Sequence, residues 1–136
     1  MITIPLEFDG YWLEADSLTE KAGIYCIYRC TYDQKTDNFS VKELLYIGKA
    51  DNIRRRLREH ERLGDCGRSL NAGEQLCYSR ALVGQEDLRV RAEAALIYHH
   101  TPPENIQHLD SFGYPATKIV ISGKHKYLDS NFTVDD

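Results

Sequence analysis

The sequence predicts an α+β fold in which a small central antiparallel sheet of about three strands is flanked by helices. Three stretches, 23–30, 41–47 and 75–82, are rich in the apolar, aromatic and β-branched residues that favour strands. Two others, 52–63 and 85–99, carry apolar side chains at helical spacing. No repeat or linker divides the 136 residues, so we expect one domain over 1–136 with its core at about 20–108.

The predicted strands come in the first part of the chain. A polar stretch from Thr31 to Ser40, predicted to be a long hairpin loop, separates the strand at 23–30 from the strand at 41–47. Gly48 ends the second strand, where the absence of a side chain permits a tight turn or the close approach of a ligand. A glycine-containing loop over 64–74 leads to the third strand.

The first predicted helix covers roughly 52–63. Asp51 or Asn52 can cap it, Ile53 and Leu57 lie one turn apart on its buried side, and Gly64 is placed to end it.

A second helix begins near Gln85 and ends at Pro102 and Pro103, because proline lacks the amide proton and disfavours helix in the residue before it. Beyond it, 118–122 is predicted to be an edge strand, followed by an irregular acidic end.

The net charge of −4 has the wrong sign for a protein that coats nucleic acid non-specifically. Any affinity for nucleic acid must therefore be local. A run of arginines on the first predicted helix supplies the local candidate: Arg54, Arg55, Arg56, Arg58 and Arg62. Taken alone, such a run is more often a solvated helix face.

The cysteines form no C-x-x-C pair, and we expect all four to be reduced, with Cys26 and Cys30 buried on one face of a strand. Together with Cys66 and Cys77, the His99-His100 pair follows no usual zinc-site spacing. No apolar run approaches the roughly 18 residues that span a bilayer. We therefore expect a soluble, cytoplasmic protein with no membrane partner.

Glu93 is the most informative single residue, because it lies on the second helix among mostly apolar neighbours. Burying an unpaired carboxylate costs several kcal/mol, roughly, so it requires a cation. That cation is either a bound metal or an arginine, and Arg89, one turn earlier, would form a plain ion pair.

Arg56 and His60 lie one turn apart and project from the same side of the first helix. A guanidinium there can bind a phosphate with two hydrogen bonds, and a histidine can exchange a proton near neutral pH. An exposed helix with an incidental histidine explains the pair equally well.

Tyr25 and Tyr46 occupy neighbouring predicted strands, where tyrosines usually serve packing. Either hydroxyl can act as a base only if a nearby cation lowers its pKa from about 10.

Taken together, these residues resemble the GIY-YIG nuclease family. Gly23-Ile24-Tyr25 and Tyr46-Ile47-Gly48 are its two motifs, and Lys49 extends the second as in many members. The segment 102–108 also resembles, more weakly, the end of the small phage endonuclease II branch. Four further residues stand where the family carries its arginine, its frequent histidine, its metal-binding glutamate and its terminal asparagine: Arg56, His60, Glu93 and Asn105.

The resemblance implies a GIY-YIG endonuclease that hydrolyses phosphodiester bonds in DNA with Mg²⁺ (or Mn²⁺) held by Glu93. Arg56 would bind the scissile phosphate, and Asn105 would orient groups around the metal or the phosphate. Tyr25, assisted by His60, is our choice of general base, with Tyr46 as its rival.

Four more residues are predicted to bind the substrate: Gly48, Lys49, Arg54 and Arg55. Lys49 would also lower the pKa of a neighbouring tyrosine.

A different class of function stays open, namely a module that keeps the GIY-YIG fold without cleaving and recognises a DNA structure or a protein. The net acidity favours it, and the complete set of site residues opposes it. An RNA substrate is also an alternative, because the sequence does not identify any residue that would contact the 2′-hydroxyl and so distinguish RNA from DNA. A homodimer would supply the two active sites of a double-strand break, but the sequence identifies no interface.

Overall fold

The computed structural model describes residues 1–60 and 63–135. Its main element is a six-stranded sheet with the strand order β3-β2-β4-β1-β5-β6. The strands are β1 (Ile2–Trp12), β2 (Gly23–Asp33), β3 (Asn38–Ala50), β4 (Gln75–Leu82), β5 (Thr117–Gly123) and β6 (Asn131–Val134). The helices are α1 (Ile53–Arg58), α2 (Leu63–Gly67) and α3 (Glu86–His100), with a 3₁₀ turn at Ala15–Ser17.

The predicted fold class, a three-stranded antiparallel sheet flanked by helices, is wrong. The sheet has twice that number of strands and is mixed, because β1 and β5 run parallel while the other pairs are antiparallel. In β1, Ile4, Leu6 and Phe8 are buried and alternate with exposed residues, which is the periodicity of a half-buried strand. Its partners β4 and β5 are distant in sequence, so no local pattern specified that the sheet would extend there.

The three strands that the sequence predicted form one side of this sheet as β2, β3 and β4. The predicted hairpin loop over 31–40 is too long, because Thr31 pairs with Ser40 and Asp33 with Asn38. The polar insertion therefore lengthens both strands and leaves only a tight turn at 34–37.

The first predicted helix is shorter than expected. The Asn52 side chain caps α1 by accepting a hydrogen bond from the Arg55 amide at 3.0 Å, and Ile53 and Leu57 are buried as predicted. The predicted end at Gly64 is wrong, because this residue lies inside α2, which also replaces the first part of the predicted loop. Arg62 lies outside the described residues.

The second predicted helix is confirmed as α3, whose last residue is followed by Thr101 in the left-handed conformation and then by the two prolines. The strand predicted over 118–122 is also present as β5. Its predicted edge position is wrong, however, because β6 pairs with it through Lys118–Thr133 and Ile119–Phe132. The predicted irregular C-terminal end thus contains a strand.

The two faces of the sheet bury separate apolar clusters. On one face α3 packs through Ala92 and Leu96 against side chains that include Ile24 and Cys26; on the other, α1 packs through Leu57 with Tyr25 and Ile27. All four cysteines are buried and free, and Cys26 and Cys30 lie on the α3 face as predicted. In the described part of the chain, no helix is long and apolar enough to cross a membrane.

Candidate functional site

The regular part of the β2–β3 register brings the two motif tyrosines to the same face of the sheet, because Tyr46 pairs directly with Ile27, two residues from Tyr25. The register between β2 and β3 shifts between Ile27 and Tyr28, so that Leu45 is an extra residue on β3. Leu45 and Tyr46 consequently both join the apolar cluster on the α1 face, where ordinary alternation would separate them. The rings of Tyr25 and Tyr46 are nearly parallel, with centroids 6.3 Å apart.

His60, just beyond α1, completes an aromatic group with these tyrosines. Its ring meets Tyr46 edge-on at a centroid distance of 4.8 Å and Tyr25 edge-on at 5.7 Å. His60 is 5% exposed, so its contacts with the two tyrosines are buried.

Gly48 provides the space for the Tyr25 ring. The two residues are direct partners in the β2–β3 register. A β-carbon at position 48 would lie 2.4 Å from the Tyr25 hydroxyl oxygen, far inside van der Waals contact. The glycine of the second motif is therefore required by the tyrosine of the first.

Glu93 projects from α3 and is 8% exposed. Burial raises the pKa of its carboxyl group, while the charge and the backbone N–H of Lys49, followed by the charge of Arg56, act in the opposite direction. Lys49 Nζ lies 4.0 Å from Glu93 Oε1, beyond hydrogen-bonding distance. Arg89, the ion-pair partner considered above, instead donates to the Val83 carbonyl at 2.9 Å.

A cavity of about 130 Å³ brings several of the predicted residues together beside β3, one of the two edge strands of the sheet. Glu93 enters it from α3, Arg56 from α1 and Tyr46 from β3. The remaining lining residues belong to α3 and the segment that follows it: Ile97, Asn105, Ile106 and Gln107.

Asn105 is buried, and both polar groups of its side chain are bonded to the β3 backbone. Its Oδ1 accepts from the Ile47 amide at 3.0 Å, and its Nδ2 donates to the Ile47 carbonyl at 2.9 Å. The preceding amide, of Glu104, donates to the Leu45 carbonyl at 3.0 Å. Asn105 thus binds the free edge of β3 and holds the second motif, the residues around Ile47, in position.

Three arginines of the predicted basic run are engaged with acids. Arg54 donates to the Leu18 carbonyl and to Glu20, whose carboxylate lies 3.0 Å away. Arg55 is exposed and lies 3.2 Å from Asp51, and Arg58 lies 2.6 Å from Asp16. Arg56 is directed instead into the cavity, beside Tyr25 and Glu93.

The Tyr25 hydroxyl is buried and has no hydrogen-bond partner of ordinary geometry among the described residues. Burial raises its pKa strongly and the neighbouring Tyr46 adds to this, outweighing the lowering effect of Arg56. Tyr25 therefore remains protonated, whereas Tyr46 lies at the surface of the cavity.

His108 is a neighbour of Glu93 that the sequence did not identify. Its Nε2 lies 3.8 Å from Glu93 Oε1, and both burial and Lys49 lower the pKa of its imidazole. It follows an irregular segment in which no helical or strand periodicity relates it to α3. Nothing in the sequence indicated the contact except its closeness to Asn105 along the chain.

The chain is similar to UvrABC system protein C from Thermosipho africanus (strain TCF52B), with 31% identity over 103 residues. The match covers 76% of this chain but only 17% of the length of that protein. No protein-family profile matches the chain. No solved structure matches it either.

Proposed function

We propose that this chain is a metal-dependent endonuclease of the GIY-YIG type that hydrolyses phosphodiester bonds in DNA. The observation that carries the proposal is the cavity in which the buried carboxylate of Glu93 meets Arg56 and Tyr46, from three separate elements. The similarity to UvrABC system protein C supports a nuclease acting on DNA.

Glu93 would hold the divalent cation, Mg²⁺ or Mn²⁺. A carboxylate oxygen is the donor that Mg²⁺ prefers, and the ion commonly uses one or two carboxylates with water and substrate phosphate as its other ligands. Two side-chain nitrogens beside the Glu93 carboxylate, Lys49 Nζ and His108 Nε2, are 4.0 and 3.8 Å from Oε1, too far for a hydrogen bond. When bound, the ion would stabilise charge that develops on the phosphate oxygens.

Arg56 would bind the scissile phosphate. Its guanidinium carries two parallel N–H groups that match a phosphate, and it lines the same cavity as the Glu93 carboxylate. Lys49, 38% exposed, would contribute a second positive charge at the rim.

Tyr46, assisted by His60, would accept the proton of the attacking water. This assignment differs from the sequence-based choice of Tyr25, whose hydroxyl is fully buried with a raised pKa. Tyr46 lines the cavity together with Arg56, a cation of the kind that favours the ionised phenol. The Tyr25 ring, which is stacked on the Tyr46 ring, would hold that ring in position.

Cleavage of supercoiled plasmid at low salt, with Mg²⁺, Mn²⁺ or EDTA, tests the proposal, because phosphate contacts weaken as salt rises. We expect nicking or linearisation that EDTA and the Glu93→Gln substitution both abolish. Asp87→Asn is the matched control, since Asp87 is an exposed acid on the same helix.

If folded protein leaves plasmid, linear DNA, single-stranded DNA and RNA intact with both metals, the nuclease proposal fails. DNA binding without cutting would then identify the non-cleaving module. Cleavage that survives in Glu93→Gln would overturn the metal assignment alone.

A further inference from the structure

A cluster outside the cavity is formed by His99 and His100 at the end of α3 and by Asp129 just before β6. One possible ligand atom from each residue lies within 4.8 Å of the other two. Cys66 and Cys77, which were considered together with this histidine pair from the sequence, do not belong to the cluster. The third member is brought in by the packing of β6 beside α3.

The hydrogen bonds of His100 fix its tautomer. Nδ1 lies 2.8 Å from the Leu96 carbonyl oxygen, which only accepts, so Nδ1 carries the proton. Nε2 accepts from the Asp129 backbone amide at 3.0 Å, so it presents a lone pair toward Asp129. A metal-binding histidine has this arrangement, with one nitrogen held by a carbonyl and the other unprotonated.

His99 and Asp129 supply the other two donors. His99 Nε2 and Asp129 Oδ2 are 2.7 Å apart. A cation bound between them would displace the proton on His99 Nε2, and the imidazole would then carry its proton on Nδ1. The carboxylate is largely exposed, so solvent reaches the pair directly.

Phe132 orders both imidazoles. Its ring stacks on His99 at a centroid distance of 4.0 Å and meets His100 edge-on at 5.2 Å. A neighbouring cavity of about 480 Å³ is lined by His99 and by two exposed acids, Asp110 and Asp135. This cavity offers a cation an entry path of favourable charge.

We propose that His99, His100 and Asp129 bind Zn²⁺ and thereby join the end of α3 to the segment that leads into β6. Two imidazoles and one carboxylate suit zinc, whereas Mg²⁺ prefers oxygen donors alone. Tetrahedral ligands on zinc lie about 3.4 Å from one another. Zinc binding therefore requires two changes. The hydrogen bond from the Asp129 amide to His100 Nε2 must break so that Nε2 can bind the metal, and the 128–130 segment must move slightly closer to the two histidines.

Calorimetric titration of the tag-free full chain with ZnCl₂ and MgCl₂ tests this site. We expect one zinc per chain and a higher melting temperature with zinc. The zinc affinity should fall by more than about tenfold in His99→Gln and in Asp129→Asn. Both substitutions are conservative and lie on partly exposed side chains, so the variants should fold.

Two controls separate this site from others. His125→Gln should keep full zinc affinity, because His125 lies in the same region but bonds Gly123 and Ser130 instead. Glu93→Gln should also keep it. No zinc binding, or affinity lost in Glu93→Gln and retained in Asp129→Asn, would overturn the proposal. These readouts do not depend on DNA cleavage, so the nuclease proposal can fail independently.

Discussion

The ring of Tyr25 fills the space above the backbone of Gly48, its direct partner across the β2–β3 pair. This contact joins the last residue of the first motif to the last residue of the second. It explains in steric terms why the two motifs occur together. The Tyr25 ring occupies the space that a side chain at position 48 would need, so only glycine fits there.

Gly48→Ala should therefore destabilise the protein by about 1–3 kcal/mol, the usual cost of forcing extra volume into a packed core. The added methyl group would have to displace the Tyr25 ring, and the cavity residues with it. Chemical denaturation measures the loss. In the control Gly64→Ala, the new β-carbon meets nothing within 4 Å and alanine is the better helix former in α2, so the midpoint should not fall. Equal losses in both variants would contradict the steric explanation.

Tyr46→Phe should reduce the cleavage rate by about 10²–10⁴-fold, the range for a lost general base, while the melting temperature stays nearly constant. Tyr25→Phe should reduce it less, because the raised pKa keeps the buried hydroxyl protonated at working pH. Single-turnover rates of the two variants decide between the tyrosines. A larger loss in Tyr25→Phe would restore Tyr25 as the base.

Arg56→Ala should abolish most cleavage, and Arg56→Lys should recover little of it, since a lysine cannot form two parallel hydrogen bonds to a phosphate. Arg68→Ala is the matched control, because Arg68 is exposed and lies beside Asp65. We expect it to retain nearly all activity. Rates measured at several salt concentrations would reveal whether both arginines act only as diffuse charge, in which case the two alanine variants would behave alike.

Asn105→Ala should lower stability by about 2–3 kcal/mol, because it removes two hydrogen bonds and leaves the Ile47 amide and carbonyl without these partners. Hydrogen exchange should show faster exchange at the Ile47 amide in particular. Asn38→Ala, on an exposed side chain at the start of the same strand, should leave both readouts unchanged. Retained protection of Ile47 would refute the positioning role of Asn105.

Glu93→Gln should raise the stability of the metal-free protein at neutral pH. Burial raises the pKa of Glu93 in the folded state, so its contribution to stability is fully present below the ordinary value of 4.5 and is lost as pH rises through the folded pKa. Thermal melts from pH 4 to pH 8 should thus show the variant gaining on the wild type as pH rises. If burial did not disfavour the ionised carboxylate, the difference in melting temperature between the two proteins would be the same at every pH.

The same melts with Mg²⁺ separate a metal ligand from a purely structural charge. We expect Mg²⁺ to raise the melting temperature of the wild type and to leave Glu93→Gln unchanged, since an ion that binds only the folded state stabilises it. If magnesium stabilises neither protein, the metal assignment fails.

Local patterns in the sequence determined the elements on which the candidate site stands. Composition located β2, β3 and β4, and the prolines after His100 determined the end of α3. Asn52 marked the start of α1 because its side chain caps the helix within the same turn. The placement of Glu93 among apolar residues correctly indicated a buried carboxylate, since burial followed from the helix's own neighbours.

Tertiary structure decided what those residues contact. β1 and β5 extend the sheet by pairing segments that are far apart in the chain, and no local pattern encodes such pairing. The pairing of β2 with β3, which places Tyr46 on the same face as Tyr25, depends on tertiary register, as does the bonding of Asn105 to Ile47. The contacts of His108 with Glu93 and of Asp129 with His99 likewise arise only when separate loops pack against α3, because sequence spacing fixes neighbours within an element but not between elements.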